Sequence, residues 1–433
     1  MNHRRGNEVI FGRNFCGGCL SSIARIPLTS VKCYGPYSCS SFGTDGRRLV
    51  HSKVRTFCRL ELRVHSDESY LPVEQGWRHR LAAGLYRSGV LRAWQVASRH
   101  CELSVEGAGL GRVRRVHSPK YVVLGYHNIG IDGLPLYCRL PKQIFAEQMR
   151  YIRRHYRVIS LSRMVEELHD PPTGGQSVVV TFDDGYAGTY FGAFPALKKY
   201  AIPATVYLMA GSVESGEAPW YDRIFLQLRQ APSDLTLPLN GERQLSLNGL
   251  ASRIDAATNA VMYLRGLPDE ERRRWCRSLD KLVPLPPTQV RGSMMSWEQV
   301  REMNAEGISF GCHTMTHPVL SRLAADAVRR EVTDSKCLIE NRLEVEVRDF
   351  AFPFGKPQDC GPIGGEVLEQ LGLRTAMTTI IGVNEPGSDR FRLRRMVQGN
   401  ECSVAMFAYR LQRLFFHPVD EERTTAATQA IGN

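Results

Sequence analysis

Short apolar runs and amphipathic segments alternate along this chain from residue 121 onward. The apolar, often β-branched runs predict strands, and they are 121–127, 158–161, 178–182, 204–208, 308–312 and 375–380. After the first run, Phe145, Met149 and Ile152 recur at helical spacing, and similar helical patterns follow most of the other runs. Strands that alternate with helices favour a parallel sheet, so the pattern predicts an α/β fold.

Two serines and one long segment refine this alternation. Ser162 is placed to cap a helix, and Ser296 with Gln299 three residues later resembles a capping box. Residues 213–293 interrupt the rhythm and contain a helical run, Asn259 to Cys276. We predict that they form a helical insertion on the rim of the sheet structure.

Adjacent carboxylates end the apolar run at residues 178–182. Asp183 and Asp184 are followed by Gly185, which permits the sharp turn that two neighbouring side chains need to reach one mouth of a sheet. One carboxylate can then ligate a metal while the other takes a proton from water. The alternative is that Asp-Asp-Gly is an ordinary turn.

Two histidines four residues apart end the run at 308–312. Neutral imidazole is a common zinc ligand, and one helical turn would bring His313 and His317 to the same face before Pro318 ends it. Two histidines and one aspartate form a three-ligand set that leaves a position open for water, as catalytic metal sites require. The spacing alone is weak, but together with Asp-Asp-Gly it favours a metal site.

A third stretch, Phe-Ala-Phe-Pro-Phe-Gly at 350–355, completes a set of motifs. With Thr-Phe-Asp-Asp-Gly at 181–185 and His-Thr-x-x-His-Pro at 313–318, in this order, the chain resembles the polysaccharide deacetylase family, carbohydrate esterase family 4, also called the NodB homology domain. The resemblance covers roughly residues 119–397. It implies a distorted (β/α) barrel with its site at the carboxyl ends of the strands.

The resemblance also implies roles for individual residues. Asp184, His313 and His317 would ligate a divalent metal, with Zn²⁺ as our first expectation, and Asp183 would be the base that activates water. Phe354 would offer its backbone N–H to the oxyanion. These roles agree with the chemistry, because a cation polarises the acetyl carbonyl and a fixed N–H stabilises the tetrahedral oxyanion.

The chain departs from the commonest family pattern at Ala351, where many members carry an arginine that pairs with the catalytic aspartate. In this respect it resembles the branch of exopolysaccharide and poly-N-acetylglucosamine deacetylases, which often carry that arginine in a later strand. Arg395 is the matching candidate. Alternation along a strand exposes one of any adjacent pair, so Arg394 and Arg395 could also be solvated.

A general acid is also absent from its usual place, since no Leu-x-His motif follows His317. We predict that His127 takes this role, because it ends the apolar run at 121–127 and resembles the strand-then-histidine motif found at the C-terminal end of other members. First and last strands are neighbours in a closed barrel, and the exopolysaccharide-type branch resembles a permuted version. The alternative is a structural core histidine.

Four residues are candidates for substrate binding. Trp220 and Asp222 lie at the start of the insertion and could line a sugar cleft, although the aromatic side chains there could equally anchor the insertion to the barrel. Tyr186 and Pro353, which belong to the first and third motifs, complete this set.

Positive charge is concentrated near the N-terminus. The formal net charge is +12, and residues 1–118 hold 19 Lys and Arg against 8 Asp and Glu. The remainder is nearly neutral, so we expect no nucleic-acid partner. Residues 1–76 lack sustained periodicity, and we expect a disordered basic extension. Its Cys16 and Cys19 form a Cys-x-x-Cys pair, but the second pair, Cys33 and Cys39, is spaced six apart and lacks the regular repeat of a zinc ribbon.

The other boundaries follow from composition and periodicity. Residues 77–118 predict a basic amphipathic helix and a linker, and 77–100 could either pack on the barrel or contact an anionic membrane peripherally. We assign 119–412 to the deacetylase domain and 413–433 to a frayed tail. No apolar stretch is long enough for a signal peptide or a membrane span, which favours a cytoplasmic or membrane-peripheral protein.

The resemblance and the motifs together predict a metal-dependent hydrolase that removes N-acetyl groups from N-acetylhexosamine units. Its substrate would be a cell-envelope or exported polysaccharide or the precursor of one. The alternatives are a hydrolase of another amide or of an O-acetyl ester, and a glycan-binding protein without activity. The intact Asp183, Asp184, His313 and His317 set argues against the last, because binding alone does not need it. The oligomeric state is not predicted.

Overall fold

The predicted alternation of strands and helices is present in the computed structural model, which describes residues 82–86, 118–130, 139–235, 247–361, 363–399 and 403–416. These residues all belong to the unit Leu71–Asn433. The predictions made for 1–76, and for most of 77–118 and 413–433, concern residues outside these ranges.

One parallel sheet organises the described residues. The strands are β1 (Lys120–Tyr126), β2 (Asn128–Ile129), β3 (Arg139–Leu140), β4 (Arg157–Val158), β5 (Gln176–Phe182), β6 (Ala204–Leu208), β7 (Ser309–Cys312), β8 (Asp349–Ala351), β9 (Thr375–Met377) and β10 (Arg395–Val397). Within the sheet the order is β10, β1, β5, β6, β7, β8 and β9, with β4 also paired to β5. A separate small sheet joins β2 to β3.

The two ends of this sheet meet. Met377 in β9 forms a parallel bridge with Leu393, two residues before β10. The N–H of Thr378 donates to the carbonyl of Leu393 at 2.9 Å, and the N–H of Leu393 donates to the carbonyl of Ala376 at 3.0 Å. The sheet is therefore a nearly closed barrel, which confirms the distorted (β/α) barrel predicted from the sequence.

Helices surround the barrel and fill the connections between its strands. They are α1 (Lys142–His155), α2 (Leu161–His169), α3 (Phe194–Tyr200), α4 (Ala210–Ser215), α5 (Trp220–Gln230), α6 (Gly249–Gly266), α7 (Asp269–Leu282), α8 (Pro287–Val290), α9 (Trp297–Ala305), α10 (Ala325–Leu343), α11 (Pro357–Cys360), α12 (Gly365–Gln370) and α13 (Val404–Phe416). A π-helix, Thr189–Ala193, precedes α3, and a 3₁₀ turn, Leu320–Arg322, precedes α10.

The two faces of each strand pack into different clusters. Val123 and Val179 point into the barrel, in one cluster with Tyr207 and Met377. Their neighbours, including Val122, belong to the larger cluster beneath the surrounding helices. Because side chains alternate along a strand, positions two and four residues beyond the inward valines also face the barrel interior. This alternation determines which polar residues face the opening of the barrel at the carboxyl ends of the strands, here called the mouth.

The segment between β6 and β7 has its own apolar core. Helices α5, α6 and α7 contribute buried residues such as Phe225, Ala257 and Leu279 to a cluster separate from the barrel's. The sequence predicted one helical run from Asn259 to Cys276, and the structure has two helices across it, broken by Pro268 between α6 and α7.

Two predictions of helix starts have different outcomes. The capping box of Ser296 and Gln299 is confirmed at the start of α9. Ser162 as the cap of α2 is wrong, because the hydroxyl of Ser160 accepts the N–H of Arg163 at 3.1 Å. The strand β4 ends at Val158, earlier than predicted, so the helix begins two residues sooner.

The described ends of the unit pack on the barrel. Residues 82–86 are helical, and Leu85 contacts the main apolar cluster. Helix α13 continues to Phe416, past the boundary placed at 412, because Phe415 is buried and stacks on Tyr156 at 5.3 Å between ring centroids. No helix among the described residues combines the length and apolarity that crossing a bilayer requires.

Candidate active site

The first motif turns sharply where β5 ends. Asp183 continues the inward alternation of Val179 and Thr181, whereas Asp184 adopts a φ of 70°, in the left-handed region. Its carbonyl accepts the N–H of Met209, just after β6, at 3.2 Å. Such a backbone is disfavoured for a residue with a Cβ, and residues held this way cluster at functional sites.

The two histidines approach Asp184 from the loop after β7. The Nε2 atoms of His313 and His317 each lie 3.5 Å from Oδ1 of Asp184. The predicted helical turn between the histidines is wrong, because Thr314 and His317 have φ values of 68° and 53° and the chain bends through left-handed conformations instead. This bend still brings the two imidazoles to one side, with ring centroids 4.9 Å apart.

The environment of these three side chains suits a divalent cation. Their potential ligand atoms all lie within 4.8 Å of one another. Burial lowers the pKa of His317 to about 3, so this imidazole is neutral near pH 7, as a ligand must be. Burial raises the pKa of Asp184, but the neighbouring His313 and His317 outweigh it and hold that pKa below its ordinary value. Oδ1 of Asp184 is buried without a hydrogen-bond partner among the described residues, as expected of an atom reserved for a metal.

Ala351 orients one of the histidines. Nδ1 of His313 lies 2.7 Å from the carbonyl oxygen of Ala351. Since a carbonyl can only accept, Nδ1 carries the proton and donates it, which leaves the lone pair of Nε2 facing Asp184. The position where many family members have an arginine therefore contributes through its backbone.

Arg395 holds the other aspartate. Its Nη1 and Nη2 donate to Oδ1 and Oδ2 of Asp183 at 2.7 and 2.8 Å, and its Nε donates to the carbonyl of Thr378 at 2.8 Å. Arg395 is fully buried, whereas Arg394, the residue just before β10, is half-buried. Burial raises the pKa of Asp183, but the charge of Arg395 outweighs it, so the pKa lies below its ordinary value and the carboxylate stays ionised.

Comparison with known proteins agrees with this arrangement. Residues 170–376 match the model of a family described as polysaccharide deacetylase. Residues 170–376 form a domain of the polysaccharide deacetylase family. The chain is 22% identical over 284 residues to YxkH of Bacillus subtilis, a protein named for polysaccharide deacetylation, covering 64% of this chain and 71% of that one. Membership makes the protein a deacetylase enzyme that acts on polysaccharides.

Two solved structures have a similar course of the chain. The Streptococcus pyogenes deacetylase PplD, in complex with acetate, is 18% identical, with a TM-score of 0.46 over 68% of this chain and 99% of that one. IcaB from Ammonifex degensii is 22% identical, with a TM-score of 0.44 over 68% and 97%. Both TM-scores are below 0.5, so the fold assignment relies on the strand order of the sheet and not on these two structures.

His127 lies at the same mouth of the deacetylase barrel. Its Nε2 is 4.0 Å from Oδ2 of Asp183, and its side chain is 21% exposed. The alternation that turns Val123 inward also directs His127, four residues later, over the barrel interior. The geometry brings the predicted acid beside the predicted base, and its role in catalysis stays a prediction.

Aromatic rings surround His317 on the insertion side. The ring of Phe354 lies 4.7 Å from that of His317, and Phe354 has a φ of 60°. Trp220 is half-buried and donates its Nε1–H to the carbonyl of His317 at 3.1 Å. Trp220 therefore anchors the insertion to the loop that carries His313 and His317, and it also remains partly open to a ligand.

Three predicted substrate contacts of the deacetylase are buried. Asp222 has no exposed surface, and its Oδ2 accepts the hydroxyl of Tyr186 at 2.7 Å. The prediction that Asp222 lines a substrate cleft is therefore wrong. Its hydrogen bond with Tyr186, 36 residues earlier in the chain, holds it in the protein interior. Tyr186 and Pro353 are buried as well. Burial raises the pKa of Asp222 to about 8, so it is protonated near pH 7.

Two further residues of the insertion reach this site: Tyr221, which belongs to the aromatic stretch considered in the sequence, and Arg265, which sequence reasoning missed. Tyr221 packs against His317 with ring centroids 5.1 Å apart, and Arg265 lies over the ring of Phe354 at 4.0 Å. The helical spacing of Tyr221 with Ile224 could have indicated that it faces inward. The residues next to Arg265 in the sequence do not indicate that it reaches the site, because its partner, Phe354, lies 89 residues later in the chain.

Proposed function

We propose that this deacetylase uses a divalent metal to remove N-acetyl groups from N-acetylhexosamine units of a cell-envelope or exported glycan, or of its precursor. The observation that carries the proposal is the convergence of Asp184, His313 and His317 beside the pair of Asp183 and Arg395. The motif resemblance to the exopolysaccharide branch supports the choice of substrate class.

The residues at the mouth supply complementary parts of amide hydrolysis. Asp184, His313 and His317 would hold a divalent cation, which would supply a Lewis acid and lower the pKa of water. Asp183, kept ionised by Arg395, accepts a proton from the attacking water. The backbone N–H of Phe354 donates to the oxyanion of the tetrahedral intermediate.

The leaving amine needs a proton, because an amine anion is too basic to depart unaided. We assign this step to His127, whose Nε2 lies 4.0 Å from Asp183 at the exposed side of the mouth. An imidazolium is suited to donating a proton near neutral pH. Base and acid are then two separate side chains on neighbouring strands, β5 and β1.

Acetate release measures this function directly. The full chain, reloaded with Zn²⁺ after chelation, would be incubated with chitooligosaccharides, β-1,6-linked N-acetylglucosamine oligomers and peptidoglycan fragments. We expect acetate from at least one of these, and none from the chelated protein. Full activity without metal would contradict the mechanism, and release from O-acetylated sugars alone would favour the esterase alternative.

A further inference from the structure

The loop that carries both histidine ligands has a backbone that needs outside support. Thr314 and His317 both lie in the left-handed region, which side chains with a Cβ rarely adopt. Such a conformation persists when surrounding contacts determine it. The hydrogen bonds of this loop therefore show which residues fix the positions of His313 and His317.

The carbonyl groups of the loop are held by the insertion side. The first two backbone N–H groups of α4 donate to the carbonyls of Thr314 and Met315, each at 3.1 Å. Trp220 donates to the carbonyl of His317. These bonds satisfy carbonyl acceptors of the loop. Its backbone N–H groups need acceptors as well.

One carboxylate on α10 accepts two of these N–H groups, while the hydroxyl of Thr314 accepts the N–H of His317 at 3.1 Å. Oε2 of Glu331 accepts the backbone N–H groups of Met315 and Thr316, each at 2.9 Å, and Oε1 accepts the hydroxyl of Thr316 at 2.7 Å. The side chain of Glu331 is only 11% exposed. Charge-assisted hydrogen bonds to a carboxylate are stronger than neutral ones, so Glu331 binds both N–H groups firmly.

An arginine of the insertion completes this arrangement. Nη2 of Arg273, on α7, donates to the hydroxyl of Thr316 at 3.0 Å and lies 3.3 Å from Oε1 of Glu331. Nε of Arg273 also donates to Asp269 on the same helix. The helical insertion is therefore tied to the loop of the metal ligands as well as to its own core.

We infer that Glu331 is a positioning residue for the metal site: it fixes the left-handed loop that places His313 and His317, and Arg273 supports it from the insertion. This inference rests on the proposed metal dependence. Glu331 touches neither the metal ligands' imidazoles nor Asp183 in any contact described above. Its effect would reach the site through the loop backbone.

Metal affinity of the chelated full chain tests this role without relying on turnover. Zn²⁺ would be titrated into wild type, Glu331→Gln, Glu331→Ala and Arg273→Met in competition with a chromophoric chelator, and Co²⁺ absorption would report the ligand geometry. Residues that orient metal ligands typically change affinity by about 10–100-fold when removed. We expect a rise of this size in the Kd of Glu331→Ala, and smaller rises for the other two variants.

The chain offers a matched control on the same helix. Oε1 of Glu340 accepts the backbone N–H of Val347 at 2.9 Å and pairs with Lys336, remote from the metal loop. Glu340→Ala should lower the Tm of the metal-free protein as Glu331→Ala does, yet bind Zn²⁺ with wild-type affinity. Equal Zn²⁺ affinities of the two alanine variants and wild type would overturn the inference.

The metal titrations distinguish a failure of the positioning role of Glu331 from a failure of the proposed metal site. A wild type that binds no Zn²⁺ or Co²⁺ would reject the metal site, and with it this role of Glu331. A wild type that binds metal, beside Glu331 variants with unchanged Kd and Co²⁺ spectrum, would reject the positioning role alone. Glu331→Gln retains an oxygen acceptor and the shape of the side chain, so it keeps the test valid should the alanine variant fail to fold.

Discussion

Arg395 binds both carboxylate oxygens of Asp183 from a position 212 residues later in the chain. The contact is possible because β10 pairs with β1 and β1 pairs with β5, so the last strand of the barrel is two strands away from the one that ends at Asp183. A Cβ at Gly125, on the strand between them, would crowd the side chain of Val397 at 3.2 Å but would make only an ordinary contact with Nη1 of Arg395 at 3.8 Å. The ion pair thus depends on the pairing of β10 with β1, which brings Arg395 beside the end of β5.

Replacing this arginine should change the pH dependence of the enzyme. Burial raises the pKa of Asp183 and Arg395 lowers it, so Arg395→Met leaves burial unopposed by that charge. The base would then be protonated at a higher pH, and the acidic limb of the kcat/KM profile should move upward. The measurement is the pH–rate profile of acetate release for the variant and wild type.

Arg394 provides the neighbouring control. It is half-buried, and its backbone is held by Asn384 on the far side of the strand. Arg394→Met should leave the acidic limb in place. Equal profiles for wild type and both variants would show that the pairing has no effect on catalysis.

Alternation along the strands made part of this site predictable. Asp183 and His127 lie at even distances from inward-facing valines in β5 and β1, so the sequence pattern alone could aim both at the barrel interior. Alternation alone could not choose Arg395 over Arg394, because a strand of three residues is too short to show which of two neighbouring side chains faces inward. The family resemblance made this choice.

Tertiary contacts decided what the pattern left open. A spacing of four fits a helical turn as well as the left-handed bend between His313 and His317. Hydrogen bonds with Glu331, α4, Trp220 and the hydroxyl of Thr314 select the bend. Asp222 is polar and near aromatic residues in the sequence, which suggested a cleft, but its partner Tyr186 lies on another element. The tertiary contacts leave no signal in nearby residues.

The metal ligands and the base should separate in mutagenesis. His313→Ala removes one of three ligands and should abolish both stoichiometric metal binding and acetate release. Asp183→Asn should retain the metal and lower kcat by about 10²-fold or more, because the amide cannot take a proton from water. Metal content by atomic spectroscopy and acetate release measure the two effects, and metal loss in Asp183→Asn would contradict the division of roles.

Asp222 should make the stability of the metal-free protein fall with rising pH. Its pKa is raised by burial to about 8 from an ordinary 3.8, so between these values the folded state holds a proton that the unfolded chain has lost. Each pH unit in that window then weakens the folded state by up to about 1.4 kcal/mol. Asp222→Asn cannot ionise, so the difference between its Tm and that of wild type should grow in favour of the variant as the pH rises from about 5 to about 8.

Two features of this test isolate the carboxyl group. Chelated protein avoids a bound cation, whose charge would favour the ionised form. Tyr186→Phe removes the hydroxyl that donates to Asp222 at 2.7 Å, a bond that lowers the pKa, so in this variant the loss of Tm should continue to a higher pH than in wild type. Parallel Tm curves for wild type and Asp222→Asn would show that Asp222 is ionised throughout.

His127 should prove dispensable for folding and metal binding but not for turnover. It ends an inward-facing series on β1, is 21% exposed at the mouth, and lies 4.0 Å from Asp183, so it can reach a substrate that the base also reaches. His127→Gln keeps a polar side chain of similar reach but cannot deliver a proton from a cationic form, and kcat should fall by roughly 10²-fold, the usual scale for a lost general acid. Zn²⁺ content and Tm should stay at wild-type values. The decrease should shrink for substrates whose leaving group is an alkoxide or phenoxide of lower basicity, because departure then needs less protonation. An unchanged kcat on N-acetylated oligomers would return the acid role to another residue.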